Sequence, residues 1–113
     1  MYALKNKVQL IGNLGNTPEV KKMQNGKKMA RFRIATSEVY KNAIGEKVTE
    51  TQWHNLVAWG KVAEIAEQYL TKGREVAIEG KLTHRNYDDH SGHKKLITEI
   101  QVNELLLLGG KAV

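Results

Sequence analysis

Four aromatic side chains stand out in this sequence because each lies beside basic residues or on the polar side of a predicted strand. Aromatic rings can stack on nucleobases, at about 1 to 3 kcal/mol per base, while ammonium or guanidinium groups meet the phosphates. A duplex hides the faces of its bases, so this combination of residue types favours an unpaired strand as the partner. The four residues are Tyr40, Trp53, Trp59 and Tyr87.

The spacing of the two tryptophans indicates a shared surface. Trp53 and Trp59 are six positions apart, an even number, so a regular strand directs both rings to one face. Leu56 and Ala58 then point to the opposite, core side. Burial of either ring in the core or in a contact between subunits is the alternative, because tryptophan is well buried on average. The joint position of all four aromatics beside cations favours binding.

The charge of the chain indicates an anionic partner. There are 18 basic and 12 acidic residues, a formal net charge of +6, and the whole of the excess lies in residues 1–49. A membrane surface would require a basic amphipathic helix, whereas these cations are spread over short segments broken by Gly and Asn. Nucleic acid is therefore the preferred partner and no membrane is expected. The other interpretation is that excess lysine only maintains solubility.

Side chains that could catalyse a reaction or bind a metal ion are poorly arranged. His90 and His93 form an H-x-x-H pair without a carboxylate ligand at a natural spacing, and the run 88–93 is typical of a solvated hairpin tip. The segment 12–15 lacks the helix that a phosphate-binding loop requires. The sequence contains no cysteine, which excludes a thiol nucleophile. We expect no catalytic residue, no metal and no cofactor.

The length of 113 residues corresponds to one domain, residues 1–113. Short apolar segments separated by Gly or Asn predict an antiparallel β domain. On the second strand, Phe32 and Ile34 alternate with Arg31 and Arg33, which directs the arginines outward. On the fourth, Leu82 is predicted to face inward. The predicted strands are residues 5–14, 29–40, 50–59, 75–87 and 96–106, with a short extra strand at 19–23 and a tight turn at Asn25-Gly26.

One segment has helical periodicity, and its apolar positions are Val62, Ile65, Ala66, Tyr69 and Leu70. Gly73 stands where a left-handed C-terminal cap is expected, with Lys72 in the last turn. The order of three strands, one helix and two strands predicts an all-β, five-stranded Greek-key barrel of the oligonucleotide-binding (OB) fold, with the helix between strands 3 and 4. Mid-strand Gly12 and Gly80 are expected at bulges or bends.

Nearly the whole chain resembles the bacterial single-stranded DNA-binding protein family, the homotetrameric OB-fold type. The residues that carry the resemblance are Asn6-Lys7-Val8, Leu10-Ile11-Gly12-Asn13-Leu14-Gly15, Pro18-Glu19-Val20, Ala35-Thr36-Ser37-Glu38, Trp53-His54, Gly60-Lys61, Ala63-Glu64, Tyr69-Leu70, Lys72-Gly73, Ile78-Glu79-Gly80 and Ser91-Gly92.

The resemblance implies roles for particular residues. The base-stacking positions of the family fall on the same four aromatics, with tyrosine at positions 40 and 87 where well-known members have tryptophan, and with Trp59 replacing a phenylalanine. His54 corresponds to a subunit-interface position. Asn55 is uncharged where an arginine can occur, and Arg31 and Arg33 are expected to compensate. The phosphate-contacting cations of the family fall on Lys7, Lys21, Lys61, Lys72 and Arg85.

The resemblance also implies sequence-independent binding and protection of single-stranded DNA in replication, recombination and repair, by a cytoplasmic, nucleoid-associated homotetramer. Family members usually continue into a flexible acidic tail that recruits other proteins, whereas this sequence stops at Val113. Either the tail was removed or the form is tailless, as in a mobile element or phage, and recruitment of replication and repair proteins is not expected. The alternatives are a dimeric replication-restart accessory barrel and a structural or protein-recruiting barrel without nucleic acid.

Overall fold

The computed structural model describes residues 4–109. The expectation about an acidic tail concerns the end of the chain, and residues 110–113 lie outside the described residues. The elements are the strands β1 (Val8–Leu14), β2 (Glu19–Lys22), β3 (Lys28–Lys41), β4 (Lys47–Trp59), β5 (Glu75–Asp88) and β6 (Lys94–Leu107), and the helix α1 (Lys61–Tyr69).

The strands form one sheet in the order β1-β5-β6-β4-β3-β2, which closes because β1 also pairs with β3. All pairings are antiparallel apart from the short parallel contact between β4 and β6, where Leu56 lies opposite Ile100. β1, β3, β4, β5 and β6 thus make a closed barrel, and β2 is an additional edge strand within the described residues. The predicted OB-fold barrel is confirmed, with the helix between β4 and β5, which are the third and fourth long strands.

The core lies inside this barrel and under α1. Alternate side chains of β3, including Phe32 and Ile34, are buried, whereas Arg33 between them is exposed. The predicted alternation on this strand is confirmed. The largest fully buried side chains are Ile34, Leu56, Leu70 and Val76.

Two glycines are required where strands come close together. A Cβ at Gly12 would overlap the carbonyl oxygen of Ala35, because β1 passes between β5 and β3 at this point. A Cβ at Gly80 would overlap the carbonyl oxygen of Gln101 beside the bulge in β5. The predicted bulge or bend is therefore confirmed at Gly80, whereas at Gly12 the pairing with β5 is regular and the bulge or bend stays a prediction.

The predicted buried face of the helix was partly wrong. Ala63, Ala66 and Leu70 are buried, whereas Ile65 and Tyr69 are exposed. The barrel lies against a narrow stripe of small side chains, so the periodic apolar positions beside that stripe remain in solvent.

The predicted cap was also wrong. α1 ends at Tyr69 with Leu70 as an extended C-cap, so Lys72 lies beyond the last turn. Gly73 does have a positive φ of 91°, but it serves the turn in which the Arg74 amide donates to the Thr71 carbonyl. The Gly73 amide donates to the carbonyl of Leu14, so this turn is joined to the end of β1.

Leu82 was predicted to face the core, and it is 39% exposed. The β5–β6 hairpin extends beyond the barrel at this point, so the inward side of Leu82 and Leu96 has no further strand over it within the described residues. Leu82 keeps the inward direction of its strand and loses the burial. None of the helices in residues 4–109 has the length and hydropathy needed to cross a membrane.

Candidate functional site

The outer surface of strands β3, β4, β6 and β5 forms one continuous face that carries most of the candidate residues. The register aligns Arg33 with Asn55, Ala35 with Trp53, and Val57 with Gln101. It then aligns Glu99 with Thr83, and Ile97 with Arg85. We call this surface the arginine face, after its members Arg31, Arg33 and Arg85.

Trp53 contacts a cation and a loop, and about half of its surface is exposed to solvent. The Trp53 residue is 52% exposed, and the Arg33 guanidinium carbon lies 4.8 Å from the ring centroid. The ring also packs on Gly15, because a Cβ there would overlap ring atom Cζ3. This contact with a residue without a side chain fixes the ring without covering it.

The loop between β1 and β2 is fixed to β3 by hydrogen bonds at both backbone groups of Arg33. The Gly15 amide donates to the Arg33 carbonyl at 2.8 Å. The Arg33 amide donates to Oδ1 of Asn16 at 3.0 Å. The loop therefore holds Gly15 in place against the ring of Trp53.

Trp59 lies at the far end of the same strand, about 20 Å from Trp53 at the usual rise of a strand. It is 37% exposed. Met29 pairs with Trp59 on one side and with Lys21 on the other. Lys21 therefore extends the same outer surface beside the second indole ring. The predicted common face of the two tryptophans is confirmed, and neither ring is sealed in the core.

A buried carboxylate joins two of the candidate arginines. Glu99 is 5% exposed, although it belongs to the outer face of β6. Arg31 from β3 donates to Oε2 of Glu99. Arg85 from β5 donates from Nε to Oε1 at 3.1 Å and from Nη2 to Oε2 at 3.4 Å. The Arg85 guanidinium also lies 6.0 Å from the ring centroid of Tyr87, which is exposed.

Burial raises the pKa of Glu99, but its two arginine partners outweigh burial. The hydrogen bond from Arg85, followed by the charge and the hydrogen bond of Arg31, holds the pKa below the ordinary value of 4.5. Glu99 is therefore ionised at neutral pH. The group of two guanidiniums and one carboxylate has a net charge of +1.

The remaining candidate cations surround the barrel at different places. Lys7 precedes β1 and pairs with Glu79 at 3.4 Å. Lys61 is exposed at the first position of α1, directly after the Trp59-Gly60 segment. Lys72 is exposed in the turn after α1, and Asn13 donates from Nδ2 to the Gly73 carbonyl at 3.1 Å, so this turn lies beside the β1–β2 loop.

Tyr40 is not brought together with the arginine face. It is 48% exposed at the end of β3 and has the strand parity of Phe32 and Ile34. The β3–β4 pairing is regular from Met29 to Lys41, so Tyr40 points to the opposite side of this ribbon from Trp53. A base stacked on Tyr40 would lie around the edge of the hairpin.

His54 is half-buried and shares the inward parity of Leu56. Its Nε2 and the hydroxyl of Thr36 form a hydrogen bond of 2.9 Å across the β3–β4 pair. Its predicted place in a subunit interface stays a prediction.

Three residues of this site were missed by the sequence analysis: Gly15, Asn16 and Glu99. Gly15 and Asn16 were not singled out as contacts of the aromatic face. The signal for Glu99 was its outward parity on a strand opposite Thr83, between Ile97 and Gln101. Among the residues described, no group of three or more His, Asp or Glu side chains is arranged to hold a metal ion.

Comparison with known proteins gives consistent results. The model of the "Single-strand binding protein family" matches residues 5–108. The "Single-stranded DNA-binding protein 1" of Chlorobaculum tepidum is 49% identical over 107 residues, which is 94% of this chain and 66% of the relative. The "Single-stranded DNA-binding protein" of Neisseria meningitidis serogroup A is 44% identical over 106 residues, 94% of this chain and 61% of the relative.

A solved structure is similar over the same range. The chain matches the structure titled "Plasmodium falciparum SSB complex with ssDNA" with a TM-score of 0.85 and 33% identity, covering 91% of this chain and 94% of that one. This chain spans slightly less than two thirds of the length of the bacterial relatives. With a family model matched over residues 5–108 and these relatives, the chain belongs to the single-strand binding protein family.

Proposed function

We propose that this chain binds single-stranded DNA without sequence preference and protects it during replication, recombination and repair. The observation that carries the proposal is the arginine face, on which Trp53 is exposed beside Arg33, and Tyr87 is exposed beside Arg85. Both family relatives and the structural neighbour bear names that refer to single-stranded DNA.

Unpaired bases stack on the exposed rings, and the cations meet the phosphates between them. Trp53 offers one open ring and Trp59 a second on the same face, with Tyr87 on the neighbouring hairpin. A strand that follows this face passes Arg33 and Lys21 at its two ends. Tyr40 takes part only if the strand turns around the β3–β4 hairpin. The supporting cations are Lys7, Lys21, Arg33, Lys61 and Lys72, together with the net charge of the Arg31–Glu99–Arg85 group.

The chain acts as a binding protein in this proposal, with no catalytic step. We infer a homotetramer, with His54 at a subunit contact, and a location with DNA in the bacterial cytoplasm. The inward side of Leu82 and Leu96, left open in one subunit, supports a subunit contact on the same side of the sheet as His54. Native mass spectrometry tests this assembly, and a dimer favours the replication-restart accessory barrel instead.

The test of DNA binding is a titration with a thymidine homopolymer of about 16 nucleotides, monitored by tryptophan emission. We expect quenching of the emission and a binding constant that falls steeply with salt, since each neutralised phosphate contributes about −0.7 to the logarithmic slope. A blunt duplex of the same length serves as competitor. Unchanged emission, or tighter binding of the duplex, would contradict the proposal.

A further inference from the structure

We propose that Glu99 is a built-in counterion that competes with nucleic-acid phosphate for Arg31 and Arg85, and thereby limits the affinity of the arginine face for a single strand. This inference rests on the function proposed above. It gives a specific role to an acidic residue in the middle of a surface that otherwise suits an anion.

The geometry of the carboxylate carries the inference. Both oxygens of Glu99 accept hydrogen bonds from guanidinium groups, and the carboxylate is nearly closed to solvent. Arg85 belongs to β5, which is next to β6 in the sheet, whereas Arg31 belongs to β3, which lies beyond β4. Both arginine side chains remain partly exposed. Some N–H donors of each guanidinium group are therefore bonded to Glu99, and each arginine side chain is still partly exposed to a ligand.

Space for a phosphate exists beside this group. A cleft of about 370 Å³ lies between the β1–β2 loop and the sheet, and Arg31, Arg33, Asn55 and Glu99 are among its lining residues. In this cleft, which Glu19 also lines, a phosphate meets Arg31, whose charge is already partly compensated by Glu99. Arg33 is differently placed, because its guanidinium lies over Trp53.

The net charge of the Arg31–Glu99–Arg85 group gives the salt dependence expected for a variant of Glu99. Two guanidiniums and one carboxylate leave one net positive charge, so the group counts as one phosphate contact. Glu99→Gln keeps the shape and one acceptor oxygen and leaves two positive charges. The logarithmic salt slope for the thymidine homopolymer should then steepen by about 0.7. For equal affinities at about 1 M salt, this corresponds to about eight-fold tighter binding at about 50 mM salt.

Glu104→Gln is the matched control. Glu104 is exposed on the same strand and lines a different groove, which includes Ile65 of α1. This variant changes the net charge of the chain by the same amount away from the arginine face. Its salt slope should equal that of the wild type.

A second comparison does not depend on the folding of Glu99→Gln. Arg31→Gln removes one guanidinium, and the double variant Arg31→Gln with Glu99→Gln removes a neutralised pair, so the double variant avoids leaving two guanidiniums crowded together. We expect Arg31→Gln to flatten the slope by about 0.7 and the double variant to return it to the wild-type value.

The outcomes separate this inference from the proposed function. If the wild type does not bind the homopolymer, the proposed function fails. If the wild type binds, but a folded Glu99→Gln variant has the wild-type slope or binds more weakly, Glu99 has a purely structural role and the inference is overturned. Where Glu99→Gln is unfolded, a double variant with the slope of Arg31→Gln alone overturns it.

Discussion

The guanidinium of Arg33 lies 4.8 Å from the ring centroid of Trp53, and the same ring packs on Gly15. The cation and the loop together fix the orientation of an indole that remains half exposed. A stacking platform that is already oriented loses less side-chain entropy when a base arrives.

Replacement of Trp53 or Trp59 by alanine should weaken binding of the thymidine homopolymer by about 1 to 3 kcal/mol each, because each removes one stacking surface. Fluorescence anisotropy of a labelled oligonucleotide measures the change. Ile65→Ala is the control, since Ile65 is an exposed apolar residue on α1. Equal loss in the control and in the tryptophan variants would mean that stacking does not account for the affinity.

Tyr40→Ala should affect long and short oligonucleotides differently. Because Tyr40 points to the opposite side of the β3–β4 ribbon from Trp53, an oligomer of about 4 nucleotides on the arginine face does not reach it. An oligomer of about 16 nucleotides can. We expect a measurable loss of affinity for the long oligomer alone, whereas Trp53→Ala weakens both. A loss for the short oligomer as large as that of Trp53→Ala would contradict this arrangement.

Gly15→Ala should displace the ring of Trp53 and leave the fold intact. The new Cβ overlaps a side-chain ring, which can swing away, and the φ of Gly15 is not positive. In a Trp59→Phe background Trp53 is the only tryptophan of the chain, so its emission spectrum and its quenching by the oligonucleotide report the displacement.

Gly12→Ala is the contrasting variant, because its Cβ meets the backbone carbonyl of Ala35. It should lower the melting temperature, whereas Gly15→Ala should weaken the quenching with little change in melting temperature. If Gly15→Ala leaves both the emission spectrum and the oligonucleotide binding unchanged, the contact between Gly15 and Trp53 does not contribute to binding.

The pKa of Glu99 is lowered in the folded chain, so its ion pairs stabilise the fold above the ordinary pKa of 4.5, and this contribution is lost as the pH falls through the folded pKa. The free energy of unfolding, measured with urea between about pH 6 and pH 3, should fall more steeply for the wild type than for Glu99→Gln. Glu104→Gln should follow the wild type. Parallel curves for the wild type and Glu99→Gln would show that the ion pairs add no net stability.

The barrel and the exposure of the tryptophans could be predicted from the sequence because both depend on local alternation. Phe32 and Ile34 alternate with arginines along β3, and this period of two determines which side of the strand is exposed to solvent. The long β3–β4 hairpin was underestimated, since β4 begins at Lys47 and not near residue 50. Lys47 and Thr49 pair with β3 through backbone hydrogen bonds, which require no apolar side chain.

The group around Glu99 could not be predicted. Arg31 and Glu99 are 68 positions apart in the sequence. They meet because β3 and β6 are the two neighbours of β4 in the sheet. Local sequence periodicity does not indicate a contact between residues so far apart in the sequence. The helix was predicted correctly as an element. Which of its side chains are buried depends on how closely the barrel approaches, so that Ala63 is buried and Tyr69 is exposed.

The position of β1 has a consequence for how the protein is made. β1 leaves the ribosome before the other described strands, yet it pairs with residues 75–80 of β5, which emerge much later. β6 must then still pair with β4. A nascent chain that ends before β5 therefore exposes an unclosed seam, and the domain acquires resistance to protease only after synthesis of the last strand. Limited proteolysis of ribosome-stalled chains of increasing length measures this point, and protection of a chain that ends before β6, at Lys94, would refute it.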